Sequence, residues 1–254
     1  MKRPELAFAT PRKLPKAAEL RGRVVVLDVA FASEASGGGF EKITKPLIDG
    51  LGARLAAWVD HHDHARHADY VGDPRFVLAT KAQHGACPEM VTPEVVSRAG
   101  AVETIVCHTD FDGLASAAKW MRGGVEPYPG CDVDARAIDT RIGHPGPLGT
   151  RFDRAIRARG RDHGLLGLVV RHLADGLADA ALWGPIDEAA RQLDAIEERT
   201  RAVAARYRIV PAGRGKSIAF VDATPEHASY DKTLLLLLGQ ERADLAVLVD
   251  RDTL

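Results

Sequence analysis

The chain lacks paired cysteines, long apolar runs and an excess of either charge, and each absence removes a class of function. Its three cysteines, Cys87, Cys107 and Cys131, are odd in number and form no CxxC pair. That argues against a disulfide framework and against a thiolate zinc site, and leaves them as small buried hydrophobes. No apolar run nears the roughly twenty residues that cross a bilayer, and the five leucines Leu234 to Leu238 fall far short of it. The basic opening stretch, with Arg3, Arg12, Lys13 and Lys16, contains no continuous apolar segment of the signal-peptide kind, so a cytoplasmic protein away from membranes is expected. The formal net charge is -1; no overall positive field draws the chain to nucleic acid, and phosphate recognition has to be local. Aromatic residues are only 6% of the chain, which leaves few rings for stacking bases.

What is present suits an α/β protein. With 254 residues, 46% of them apolar, the chain can bury a large core. Valine-rich runs at Val24 to Leu27, Leu55 to Val59, Thr104 to Cys107 and, more weakly, Val133 to Ile138 read as buried parallel strands, because they do not alternate and they stop at polar residues. Segments of helical character lie between them, at Lys42 to Leu51, Pro93 to Arg98 and Leu114 to Met121. Strand alternating with helix predicts a doubly wound, mainly parallel sheet. Pro185 to Tyr207 has apolar residues at helical spacing and predicts a connecting helix. The expected organisation is a metal-binding domain over residues 1–184, the connecting helix over 185–207, and a smaller C-terminal α/β domain over 208–254.

In sheets of this type ligands bind beyond the carboxyl ends of the strands. The residues found there are Asp28, then Asp60-His61-His62, then His108-Thr109-Asp110-Phe111-Asp112-Gly113, and then Asp139. Alternate residues of an extended segment point the same way, so His108, Asp110 and Asp112 can face one site. Gly113 is expected to permit the turn into a helix whose N-terminus favours anions. Carboxylates and imidazoles without thiolates suit manganese, magnesium, iron or cobalt, with zinc also admissible. Gly37, Gly38 and Gly39, soon after Asp28, would let backbone amides approach a phosphate, or form a flexible loop. Gln83 to Cys87 could border the cleft, and Arg75, Arg136 and Arg141 are further candidates for phosphate contact.

These residues resemble the DHH phosphoesterase superfamily. Asp60-His61-His62 matches the signature that names it, His108 to Gly113 looks like its HxDxDG motif, and Asp28 is similar to the single aspartate that precedes the DHH motif. The resemblance covers about Arg23 to Met121, with one departure: here the HxDxDG segment follows the DHH segment, so the order looks circularly permuted. The resemblance implies two divalent ions per site, Mn2+ with Mg2+, Co2+ or Fe2+ as alternatives. His108 and Asp110 would hold one ion, His61 and Asp112 the other, and Asp28 would bridge them. Asp139, in the place of the family's late aspartate, would complete the second site or be an ordinary carboxylate. His62 would touch a substrate phosphate, and Asp60 would orient a ligand histidine. Gly213 to Ser217 is loosely similar to the glycine-rich substrate loop of the family's accessory domain, with Arg214 and Lys216 in place of further glycines.

The activity so implied is hydrolysis of a phosphodiester in a small nucleotide, a short oligonucleotide or a cyclic dinucleotide, by water activated between two metals. Alternatives are a phosphomonoesterase or pyrophosphatase acting on a small compound, or a nucleotide-binding sensor without turnover. Long duplex nucleic acid is not an expected partner, since the chain has no basic stripe. A homodimer is compatible with the sequence.

Overall fold

In the computed structural model residues 3–251 are described, so the extreme ends of both expected domains lie outside the described residues. The chain divides into two compact units, residues 1–190 and 191–254.

The first unit is built on five strands, β1 (Glu5–Ala9), β2 (Val24–Leu27), β3 (Leu55–Asp60), β4 (Phe76–Leu78) and β5 (Thr104–His108). All their pairings are parallel, in the order β1-β5-β2-β3-β4. Successive side chains go to opposite faces, as strand geometry requires. Val25, Leu27, Val59, Ile105 and Cys107 enter one core, and Val24, Val26, Trp58 and Val106 enter the other. The second core is closed by α1 (Lys45–Leu51) with Phe31 and Phe40, and the first by α2 (Pro93–Ala99), α3 (Phe111–Met121), α4 (Cys131–Thr140), α5 (Pro147–Arg159), α6 (His163–Ala174) and the start of α7 (Trp183–Arg191). A sheet buried on both faces explains why its strands read as continuous apolar runs.

The chain runs outward from β2 through β3 to β4, then returns to lay β5 on the other side of β2. The crevice between β2 and β5 is therefore the topological switch point, where open sheets of this kind bind ligands.

Val133 to Ile138, expected as a strand, lies inside helix α4. Gly130 precedes it in the left-handed region at φ 89°, Asp132 and Asp134 occupy the first turn, and Cys131, Ala135 and Ile138 are buried at helical spacing while Val133 is exposed. Asp139 thus leaves the end of a helix, not of a strand.

Residues 185–207 form two helices, α7 and α8 (Asp194–Ala204), in place of one. Ile186 and Ala189 belong to the large core, and Val203 and Ala204 to that of the second unit. The second unit also has β6 (Arg208–Gly213), β7 (Lys216–Asp222), α9 (Lys232–Gln240) and β8 (Leu245–Val249), with the three strands in the order β6-β7-β8. It is the smaller α/β domain that the sequence led us to expect. No helix among the described residues is long and apolar enough to cross a membrane.

Candidate metal centre

Three adjacent strands, β5, β2 and β3, deliver His108, Asp28 and His61 at the same edge of the sheet. Asp28 is the middle of the group. It has a left-handed backbone, φ 58°, which among non-glycine residues aspartate tolerates better than most. Its N–H donates to the Val59 carbonyl at 2.9 Å. Its carboxylate is 1% exposed, and neither oxygen has a hydrogen-bond partner. Oδ1 lies 3.4 Å from His61 Nε2, and Oδ2 lies 3.9 Å from His108 Nδ1. One carboxylate therefore faces both halves of the cluster.

His61 is fully buried, and its Nδ1 lies 2.9 Å from the His84 carbonyl, which can only accept, so Nδ1 carries the proton. Nε2 is left facing Asp28 Oδ1, Asp112 Oδ2 at 3.3 Å and Asp139 Oδ2 at 4.0 Å. A lone pair aimed at carboxylates is repulsive unless a proton or a cation stands between them. With no cation the ring takes the proton: burial opposes this, but Asp112 and Asp28 outweigh it and push His61 up to about 11.

The carboxylates carry the matching strain. Burial first, then the charges of Asp112 and Asp110, raise Asp28 well above the usual carboxylate range. Burial raises Asp112 to about 6, with Asp110 adding to it and His61 opposing. Both shifts come first from burial, and the neighbouring carboxylates add to them.

Asp110 is the N-cap of α3 and accepts the Gly113 N–H at 3.0 Å, while its other oxygen lies 2.8 Å from His108 Nδ1. Asp112 is held in the first turn of α3 by the Cys87 N–H, at 2.9 and 3.2 Å to its two oxygens. Gly113 is helical and does not serve the turn expected of it. A Cβ there would stand 2.6 Å from the His108 carbonyl and 2.7 Å from the His108 Cβ, so glycine lets α3 sit directly on β5. Three groups come within reach of a common cation: Asp28 with His108 and Asp110; His61 with Asp112 and Asp139; and Asp28 with His61 and His62. Asp60 hydrogen-bonds His62 Nδ1 at 2.8 Å, while His61 is oriented by the His84 carbonyl.

Not every candidate joins the cluster. Among Gly37, Gly38 and Gly39, the last has φ 66° with the Glu34 carboxylate against it, a charge that any bound anion would face. Arg214 and Lys216 lie in and beside the hairpin turn between β6 and β7, where Lys216 pairs with Asp244 at 2.7 Å. Arg75 precedes β4, at the opposite edge of the sheet, and pairs with Asp73. Arg136 pairs with Glu89, and Arg141 is the left-handed residue closing α4. Burial raises the Cys87 thiol far above its usual range, which removes it as a nucleophile.

Lys81 was not anticipated. Its Nζ lies 2.6 Å from Asp139 Oδ2. It follows β4, the neighbour of β3, so the strand-end rule would have found it had the three-residue β4 been recognised.

No protein-family model matches the chain, and neither does any curated protein or solved structure.

Proposed function

We propose that this chain is a divalent-metal-dependent phosphoesterase of the DHH type, hydrolysing a phosphodiester in a small nucleotide. The observation that carries the reading is Asp28, buried between His61 and His108 with no hydrogen bond to either oxygen. An isolated buried carboxylate is costly unless it is paired or coordinates a metal. The donor set fits hard or borderline cations such as Mn2+, with Mg2+, Co2+ or Fe2+ as alternatives, since it offers carboxylates and imidazoles and no thiolate.

Asp28, His108 and Asp110 would hold one ion, and His61, Asp112 and Asp139 the other. Two such ions would supply an acidified water as nucleophile and offset charge on the phosphoryl oxygens. The chain's own groups do the positioning. The Cys87 N–H fixes Asp112, and the His84 carbonyl keeps Nε2 of His61 turned to the cluster. Asp60 holds His62 by Nδ1, which leaves Nε2 of that half-exposed ring to hydrogen-bond a phosphoryl oxygen or the departing oxygen. Lys81 pairs with Asp139 Oδ2 at 2.6 Å and puts a positive charge at the rim.

The test is hydrolysis of a dinucleotide, cyclic dinucleotides, a nucleoside bisphosphate, pyrophosphate and bis-p-nitrophenyl phosphate, with and without Mn2+, alongside Asp110→Ala. Cleavage of a diester that requires metal and falls about a hundredfold or more in the variant supports the reading. Cleavage of pyrophosphate or monoesters alone would replace it with the phosphatase alternative. Stoichiometric metal binding without any turnover would replace it with a nucleotide sensor.

A further inference from the structure

One short segment touches all three members of the group formed by His61, Asp112 and Asp139. Residues 79–87 follow β4 and close on themselves in a turn. The Thr80 carbonyl accepts the Gln83 N–H at 2.9 Å and the His84 N–H at 3.0 Å, and Gln83 Oε1 accepts the Thr80 N–H at 2.9 Å. From that turn the segment reaches His61 through the His84 carbonyl, Asp112 through the Cys87 N–H, and Asp139 through Lys81 Nζ. Just beyond it, Glu89 lies 3.4 Å from His84 Nδ1 and pairs with Arg136 of α4. In the other group Asp110 is held by the start of its own helix.

Two of the three contacts favour a cation at this group and the third opposes it. The His84 carbonyl keeps His61 Nε2 turned inward, and the Cys87 N–H fixes a carboxylate that has lone pairs to spare. Lys81 is itself a compact cation. Its Nζ lies 2.6 Å from Asp139 Oδ2, and that same oxygen stands 4.0 Å from His61 Nε2. An ion drawn to His61, Asp112 and Asp139 therefore meets a positive charge already on one of its ligands. The Lys81 side chain is 40% exposed and that of Asp139 15%, so the pair sits at the mouth of the cluster and a displaced Lys81 can turn out to water.

We propose that Lys81 is a built-in competitor of the metal for Asp139, so that the ion held by His61, Asp112 and Asp139 enters only as the Lys81–Asp139 pair opens; the inference rests on the metal-centre reading above. The lysine offsets charge on this half of the cluster while the ion is absent, and it weakens that one ion alone.

The experiment is a Mn2+ titration of the full chain, with free ion read by electron paramagnetic resonance. It compares the natural chain with Lys81→Met, Lys81→Gln, Lys81→Arg, and Lys42→Met as a remote charge control. In Lys81→Met one binding step is expected to tighten about tenfold, the order of one charge-assisted hydrogen bond discounted for exposure, with the other step unchanged. Lys81→Gln should tighten the same step, while Lys81→Arg and Lys42→Met should match the natural chain. A double-mutant cycle fixes the partner: on an Asp139→Ala background Lys81→Met should have no further effect. A step that is unchanged or weaker in Lys81→Met, equal tightening of both steps, or a full effect on the Asp139→Ala background would overturn the assignment. Hydrolysis of bis-p-nitrophenyl phosphate separates this from the catalytic reading. If it requires Mn2+ while Lys81→Met leaves both steps unchanged, only the role of Lys81 fails; if the step tightens and nothing is hydrolysed, the phosphoesterase reading fails and the competition stands. A natural chain that binds no Mn2+ overturns both.

Discussion

Asp28 accepts two unfavourable conditions at once, a left-handed backbone and a buried carboxylate with no hydrogen bond. Strain of that kind persists where the surroundings hold it in place, and it gathers at functional sites. Asparagine also tolerates this backbone and carries no charge. In metal-free protein Asp28→Asn is therefore expected to stabilise the first unit by about 1–3 kcal/mol, a rise of a few degrees in Tm. The same change should abolish stabilisation by added Mn2+. Thermal melts with and without the ion check both parts, and a metal-free variant less stable than the natural chain would contradict the first.

Gly113→Ala is the converse case. The methyl would press on the His108 backbone, so overpacking of about 1–3 kcal/mol is expected, with weaker Mn2+ binding because His108 moves. Urea unfolding and a metal titration read the two effects separately. At this scale the site was legible in the sequence because charged side chains follow valine runs, and the parallel sheet turns that pattern into proximity. The Cys87 N–H and the His84 carbonyl were not legible as ligand supports, since backbone groups leave no residue-type signal.

Among the elements, α4 shows how a valine run can mislead. Val133 suggested a strand, yet the capping glycine, the first-turn acids and the Cys131, Ala135, Ile138 spacing specify a helix. Asp134 ties this helix to the next: it accepts from Tyr128 Oη at 2.7 Å, from the Gly146 N–H at 2.6 Å and from the Gly149 N–H at 3.0 Å. Asp134→Ala leaves those donors without their partner and should cost about 2–4 kcal/mol, measured as a lower urea midpoint. Because α4 also carries Asp139, Mn2+ affinity should fall with it. An unchanged midpoint would show that the α4–α5 connection does not depend on this carboxylate. β1 and β4 escaped the sequence reading for a different reason. They are short edge strands, half-buried over most of their length, so neither a long apolar run nor clean alternation marks them.

For the whole first unit, chain order matters less than which strand ends become neighbours. β5 enters the sheet beside β2, so a motif late in the sequence arrives next to Asp28. The doubly wound fold was legible because both faces are buried. The balanced net charge likewise says that any anion recognition has to be local. Binding restricted to the folded state stabilises by mass action, about 2.7 kcal/mol at a hundred times Kd, so Mn2+ above its Kd should raise the unfolding midpoint of the first unit with the logarithm of its concentration. The most direct measurement is a manganese titration followed by electron paramagnetic resonance on the full chain and on Asp28→Asn. The expected result is two ions per natural chain with a spin-coupled spectrum, and at most one uncoupled ion in the variant; a natural chain that binds none, or only one isolated ion, would contradict the shared centre built on Asp28.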